Sequence, residues 1–202
     1  MSLPRRKINT GFTLVELLVT ISIFVILTGV VLFSQSKFNS TILLTNLAYD
    51  TALTIRQAQT YGINIKEFGT NQFVPYGVHF DISANKSFIL FADTDSNNLF
   101  TGSDLAHCVS AVGCVNRYNI KSGNSIVALC KGEVLAGGKI CKTGDNIIKL
   151  DVVFKRPNPD AHMITNIGDT EYTVATIILG NSDGNVRKVR IQSNGLIQID
   201  TN

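Results

Sequence analysis

Residues of the kind that do chemistry gather at a few places in this sequence. The first is Asp93-Thr94-Asp95-Ser96-Asn97-Asn98-Leu99-Phe100-Thr101-Gly102-Ser103-Asp104. Counted from Asp93, oxygen-bearing side chains stand at positions 1, 3, 5, 9 and 12, with the Leu99 carbonyl at position 7. That is the spacing of a twelve-residue calcium loop, and Ca²⁺ is a hard ion that takes six to eight oxygens. Asp93, Asp95, Asn97, Leu99, Thr101 and Asp104 are therefore candidate Ca²⁺ ligands. Two positions depart from the pattern. Asn98 stands where glycine is usual, although asparagine tolerates the left-handed conformation. Asp104 stands where a longer Glu would reach further. The residues before the loop read as a strand, so an EF-hand is not expected. The same residues also make ordinary turns, and a solvated hairpin loop is the alternative reading.

Cys108, Cys114, Cys130 and Cys141 form an even set, which in an exported domain suggests two disulfides. Four cysteines allow three pairings. The local choice is Cys108–Cys114 with Cys130–Cys141. Zinc is the weaker alternative, because neither spacing is C-x2-C and the nearby histidine is His107 alone. Free buried thiols are a third reading. Arg187, Lys188 and Arg190, with Lys155-Arg156 as neighbours, form a small basic group that would contact DNA phosphates without reading sequence. The alternative, and the favoured one, is a charged edge strand protected from aggregation. Catalytic patterns are missing. His79, His107 and His162 lie far apart, and there is no H-E-x-x-H, G-x-S-x-G or phosphate-binding glycine loop.

The remaining reactive feature is a carboxylate in an apolar run. From Phe12 to Phe33 there are 22 residues, and Glu16 is the only one charged. As a helix the run spans roughly 33 Å, enough to cross a bilayer core. Arg5, Arg6 and Lys7 precede it and hold the N-terminus on the cytoplasmic side. A secretory signal would be cut after the apolar run. Here the small residue, Gly11, comes before it. A cut at Gly11 removes the leader, keeps the apolar helix, and creates an α-amino group about one turn from Glu16. An intramembrane carboxylate is costly and needs such a partner.

The segment KINTGFTLVELLVTISIFVIL resembles the class III signal of type IV prepilins and type II secretion pseudopilins. The resemblance rests on Gly11, the aromatic Phe12, Thr13-Leu14-x-Glu16 and the apolar run, and covers roughly the first sixty residues. It implies that a prepilin peptidase/methyltransferase cuts after Gly11 and N-methylates Phe12. It implies that Glu16 docks the subunit among other pilin or pseudopilin subunits. The expected role is a structural one, with no enzymatic turnover, in a pilus or secretion pseudopilus. A DNA-binding minor pilin at a pilus tip is the alternative function. The distribution of strands toward the C-terminus is similar to the FimT/GspH-like minor pilin group. The expected location is the cytoplasmic membrane, crossed once, with the domain outside and a surface or periplasmic filament after assembly.

The elements that must position these residues follow from pattern. Leu44, Leu47, Ala48, Ala52, Ile55 and Ala58 continue a helical stripe beyond the apolar run, with Asn46, Asp50, Thr54 and Gln57 opposite. One helix is expected from about Thr13 to Tyr61, with Gly29 a soft point and Gly62 a left-handed cap. Beyond it, strands are expected at 77–80, 87–91, 125–130, 147–154, 172–179, 186–192 and 196–200. Turns fall at 83–86, 181–185 and 193–195, and the two prolines of 156–160 break pairing. The expected architecture is α+β: a long N-terminal transmembrane and amphipathic helix packed on antiparallel sheet, as in the pilin fold. The expected divisions are a cleaved leader (1–11), a membrane or filament-core segment (12–33), its amphipathic continuation (34–62) and a β-rich extracytoplasmic domain (63–202). Charge adds one restriction. The chain has 18 basic and 15 acidic residues, and removing the leader's three bases leaves fifteen of each. The mature chain is neutral, so its basic pI says little about nucleic acid.

Overall fold

A computed structural model describes residues 11–64, 66–69, 73–102, 108, 113–121, 123–132, 147–167 and 172–200, with the backbone alone for 33–38. The helix α1 runs from Leu14 to Ile63. Its first part belongs to a compact unit ending at Asn39, and its second to another that spans Ser40–Asn202. Helical backbone continues through Gly29 without interruption.

Among the described residues of the second unit, nine strands form two antiparallel sheets. The larger has the order β3 (Cys114–Asn119), β2 (Ser87–Ala92), β1 (Tyr76–Asp81), β5 (Lys149–Phe154) and β6 (Ala161–Thr165). The smaller has the order β4 (Ser125–Lys131), β7 (Val174–Gly180), β8 (Val186–Gln192) and β9 (Ile197–Asp200). The expected helix-on-antiparallel-sheet, α+β arrangement is what forms. Strands β3 and β6 have no counterpart in the sequence reading, because neither CVNRYN nor AHMIT shows a clean period-two stripe.

The helical stripe does what its period implies. Leu44, Leu47, Ala48, Ile55 and Ala58 are buried in one core with Tyr76, Val78 and Phe80 of β1 and with Ile177 and Val189 of the smaller sheet. Thr51 is buried on the same face and satisfies its hydroxyl on the Leu47 carbonyl, 2.8 Å away. Every residue of β1 and β2 is buried. The reason is a second cluster, on the other face of the larger sheet, of Ile89, Phe91, Cys114 and Val153 with Phe100 packed against it. A strand covered on both faces loses its alternation, which is why SFILFA reads as a continuous apolar run.

Gly62 corrects one expectation. It lies inside α1 and has no left-handed backbone; the helix ends a residue later. A Cβ there would stand 2.3 Å from the Phe154 carbonyl oxygen. The glycine allows the last helical turn to approach the end of β5. Asn98, Gly184 and Gly195 do adopt positive φ, at 60°, 81° and 80°, in the loops expected to need it.

Candidate functional site

The loop after β2 is built around Asp93, which is buried. Its carboxylate accepts the backbone N–H of Asn97 at 3.2 Å and of Asn98 at 2.8 Å. These bonds are why Asn98 turns left-handed at the sixth position. Asp95 accepts from the Asn97 side-chain nitrogen at 2.8 Å, while the Asn97 side-chain oxygen, Oδ1, accepts the Leu99 N–H at 2.7 Å. Asn97 therefore shows Asp95 its nitrogen, and its oxygen serves the loop backbone. Burial, followed by the hydrogen bond and charge of Asp95, pushes the Asp93 carboxyl up to about 6, against the pull of the two backbone donors. Leu99 and Thr101 lie further along the loop; Asp104 lies outside the described residues. Among those residues, no group of three or more His, Cys, Asp or Glu is placed to hold a metal ion. In this conformation the loop is closed by its own donors.

Beside it lies a pairing that sequence reading missed. His79 of β1 and Asp151 of β5 are register partners, and Nδ1 lies 2.8 Å from Oδ1 with both side chains buried. The same Asp151 oxygen accepts the Phe100 N–H at 3.3 Å, and the Phe100 ring lies 5.1 Å from the imidazole. The pair thus ties two strands to the segment that covers them. Lys149, Thr165 and Asn166 line a pocket of about 320 Å³ together with it. The available signal was an aspartate within the buried run LDVVF, since a buried carboxylate needs a partner. His162 lies in β6 and His107 lies outside the described residues.

Of the basic group, Arg187 lies on the same side of β8 as buried Val189 and Ile191. Its Nε donates to Thr45 of the helix at 3.2 Å. Arg190 is 3.5 Å from the Asp200 carboxylate on β9. Lys188 is half-buried. Lys155 and Arg156 follow β5, and the Arg156 guanidinium sits over the Phe73 ring at 4.7 Å. Cys108 and Cys114 are joined by a disulfide. Cys130 is disulfide-bonded as well, and Cys141 lies outside the described residues.

The N-terminal segment has different chemistry. Over Leu14–Leu32, helix α1 is long and apolar enough to cross a membrane, and none of that stretch is buried within the molecule. Phe12, Leu14 and Phe24 each leave at least 70% of their surface exposed. In water an apolar face of this size is strongly unfavourable; it needs lipid or other helices around it. The carboxylate of Glu16 sits in the first helical turn, 3.4 Å from the Thr13 hydroxyl. Residues 6–32 match a family described as the prokaryotic N-terminal methylation motif.

This chain carries a prokaryotic N-terminal methylation motif.

The methylation motif, with the apolar helix it opens, is consistent with a type IV pilin-like class III signal, and the α+β domain that follows is consistent with the pilin fold. Motif and helix together point to membrane anchoring. Residues 33–202 lie outside the match. Neither a curated protein nor a solved structure matches the chain. Gly11, Phe12 and Glu16, which the sequence reading singled out, lie within the matched residues. Thr13 was read only as a member of that motif, and its contact with Glu16 was missed. Its signal was present: Thr-x-x-Glu directly before an apolar run is the pattern of a helix N-terminus.

Proposed function

We propose that this chain is a structural subunit, a minor pilin or pseudopilin, that assembles into a filament through its N-terminal helix. The observation that carries the reading is a coincidence in place. The methylation motif at 6–32 lies over the one described helix that buries nothing at Leu14–Leu32. In the membrane that surface faces lipid. In a filament it faces the helices of other subunits.

Processing fits the same scheme. A prepilin peptidase removes residues 1–11, leaves Phe12 as the first residue and methylates it. A secondary amine stays basic, so it remains a partner for Glu16. Within a single subunit that pair lies near the headgroups and is partly hydrated. Between neighbouring subunits it lies in a drier place, where attraction is stronger. Glu16 then favours the assembled state and sets the register between neighbours. The domain from Ser40 onward faces outward, which suits its disulfides. The role is assembly; it requires no turnover.

No particular observation favours the reading as a DNA-binding tip subunit, since Arg187 and Arg190 are engaged with Thr45 and Asp200.

The test is incorporation of Glu16→Ala. This variant should insert and be cut at Gly11 as the parent is, yet fail to enter filaments or enter them poorly. Incorporation at the parent's level would defeat the charge-pair account.

A further inference from the structure

We propose that Thr13 is the positioning residue for Glu16: it starts the helix and holds the carboxylate at the first turn, in the uncut chain as well as the cut one. The proposal rests on the processing scheme only in where the cut falls.

The first N–H groups of a helix have no partner within it. Thr13 stands immediately before Leu14, the first helical residue. Its carbonyl accepts the Leu17 N–H at 3.2 Å, which makes it the N-cap. Its side-chain oxygen accepts the Glu16 N–H at 3.3 Å. The same hydroxyl donates its hydrogen to the Glu16 carboxylate at 3.4 Å. A hydroxyl can do both at once, having one donor and two lone pairs. This is a capping box in which the carboxylate takes the hydroxyl hydrogen in place of the cap's backbone N–H. The position also puts negative charge at the positive end of the helix dipole.

The flanking residues agree with that assignment. Phe12 and Leu17 occupy the two positions whose apolar side chains staple a helix entry. Every residue of the device, Phe12, Thr13, Glu16 and Leu17, lies on the mature side of Gly11. A cut between Gly11 and Phe12 leaves it whole.

The consequence concerns the precursor. Before the cut there is no amine at Phe12, so the usual partner for the carboxylate does not exist. The Thr13 hydroxyl and the free N–H groups of the first turn then offset the cost of placing Glu16 at the membrane. When the amine appears, the carboxylate is already held about one turn from it. Valine, which copies the shape of threonine without its hydroxyl, removes both bonds. Serine keeps them.

The test uses the full-length chain, uncut because no peptidase is co-expressed, in detergent micelles. Amide hydrogen exchange at Glu16 and the ¹³C shift of its carboxyl are followed by NMR. Thr13→Val should speed exchange at the Glu16 amide roughly fivefold and move the carboxyl signal. Thr13→Ser should leave both near the parent's values. Parent-like exchange and carboxyl shift in Thr13→Val would overturn the proposal, as would a Thr13→Ser variant that behaves like valine. Since no cut occurs, the result does not depend on whether the filament reading holds.

Discussion

Tyr118 of β3 donates its hydroxyl hydrogen to the Asp50 carboxylate of α1 across 2.5 Å. The phenol ring lies flat on Phe88, 4.7 Å between centroids and 11° between planes. One residue thus fastens the edge strand of the larger sheet to the helix. Burial, then the hydrogen bond to Asp50 and its charge, pushes the Tyr118 hydroxyl up to about 12. The folded state holds that proton more tightly than the unfolded chain. The contribution to stability is therefore complete below pH 10 and is lost between about 10 and 12. Tyr118→Phe keeps the stacking and removes the bond. It should cost on the order of 1 to 2 kcal/mol near neutral pH in chemical unfolding, since both groups are partly exposed. The gap from the parent should close above pH 12. An unchanged midpoint at neutral pH would show that the bond contributes nothing.

Asp93 gives a pH dependence in the acid range. Its carboxyl, raised to about 6 by burial and by Asp95, holds a proton more tightly in the folded state. The sign follows: the contribution is complete below pH 4 and lost as pH rises from about 4 to 6. In a chelator, carboxyl NMR should place the Asp93 midpoint near 6, and Asp95→Asn should bring it down. Millimolar Ca²⁺ tests the cation reading of the same loop. An ion between Asp93 and Asp95 would pull the midpoint well down; an unmoved midpoint leaves a turn closed by its own hydrogen bonds. An Asp93 midpoint in the ordinary carboxylate range, with chelator present, would contradict the account.

Gly62 predicts a steric penalty. Alanine there places a methyl against the Phe154 carbonyl at the end of β5, so either the helix end or the strand must move. Overpacking of this kind costs about 1–3 kcal/mol. Gly62→Ala should lower the melting temperature, although alanine favours a helix more than glycine does. A raised melting temperature would mean that helix propensity outweighs the contact.

These residues also show how far the sequence could be read. The stripe from Leu44 to Ala58 was legible because one face of α1 meets one core, and its period is uninterrupted. Strands β7 and β8 were legible from their apolar runs and flanking Gly and Asn turns. Strand β3 was not: its residues include Arg117, which donates to Ser87, and Tyr118, which reaches Asp50, and side chains used that way break the pattern. The stripe sets Asp50 on the opposite side of the helix, since periodicity shows a helix face but not the strand that comes to meet it. The pairing of His79 with Asp151 spans 72 residues and depends on strand order, which periodicity does not encode. At the N-terminus the opposite held. The methylation motif at 6–32, which contains Gly11, Phe12 and Glu16, was legible because its spacing is local.

The central claim is that this chain is cut and methylated at its N-terminus to become an assembly subunit. Intact-mass and N-terminal peptide spectrometry of the protein, expressed beside a prepilin peptidase, tests it most directly. The account predicts a chain that begins at Phe12 and carries one methyl group, and a Gly11→Leu variant that stays full length in the membrane. A parent chain that keeps residues 1–11, or is cut after the apolar run, would contradict it.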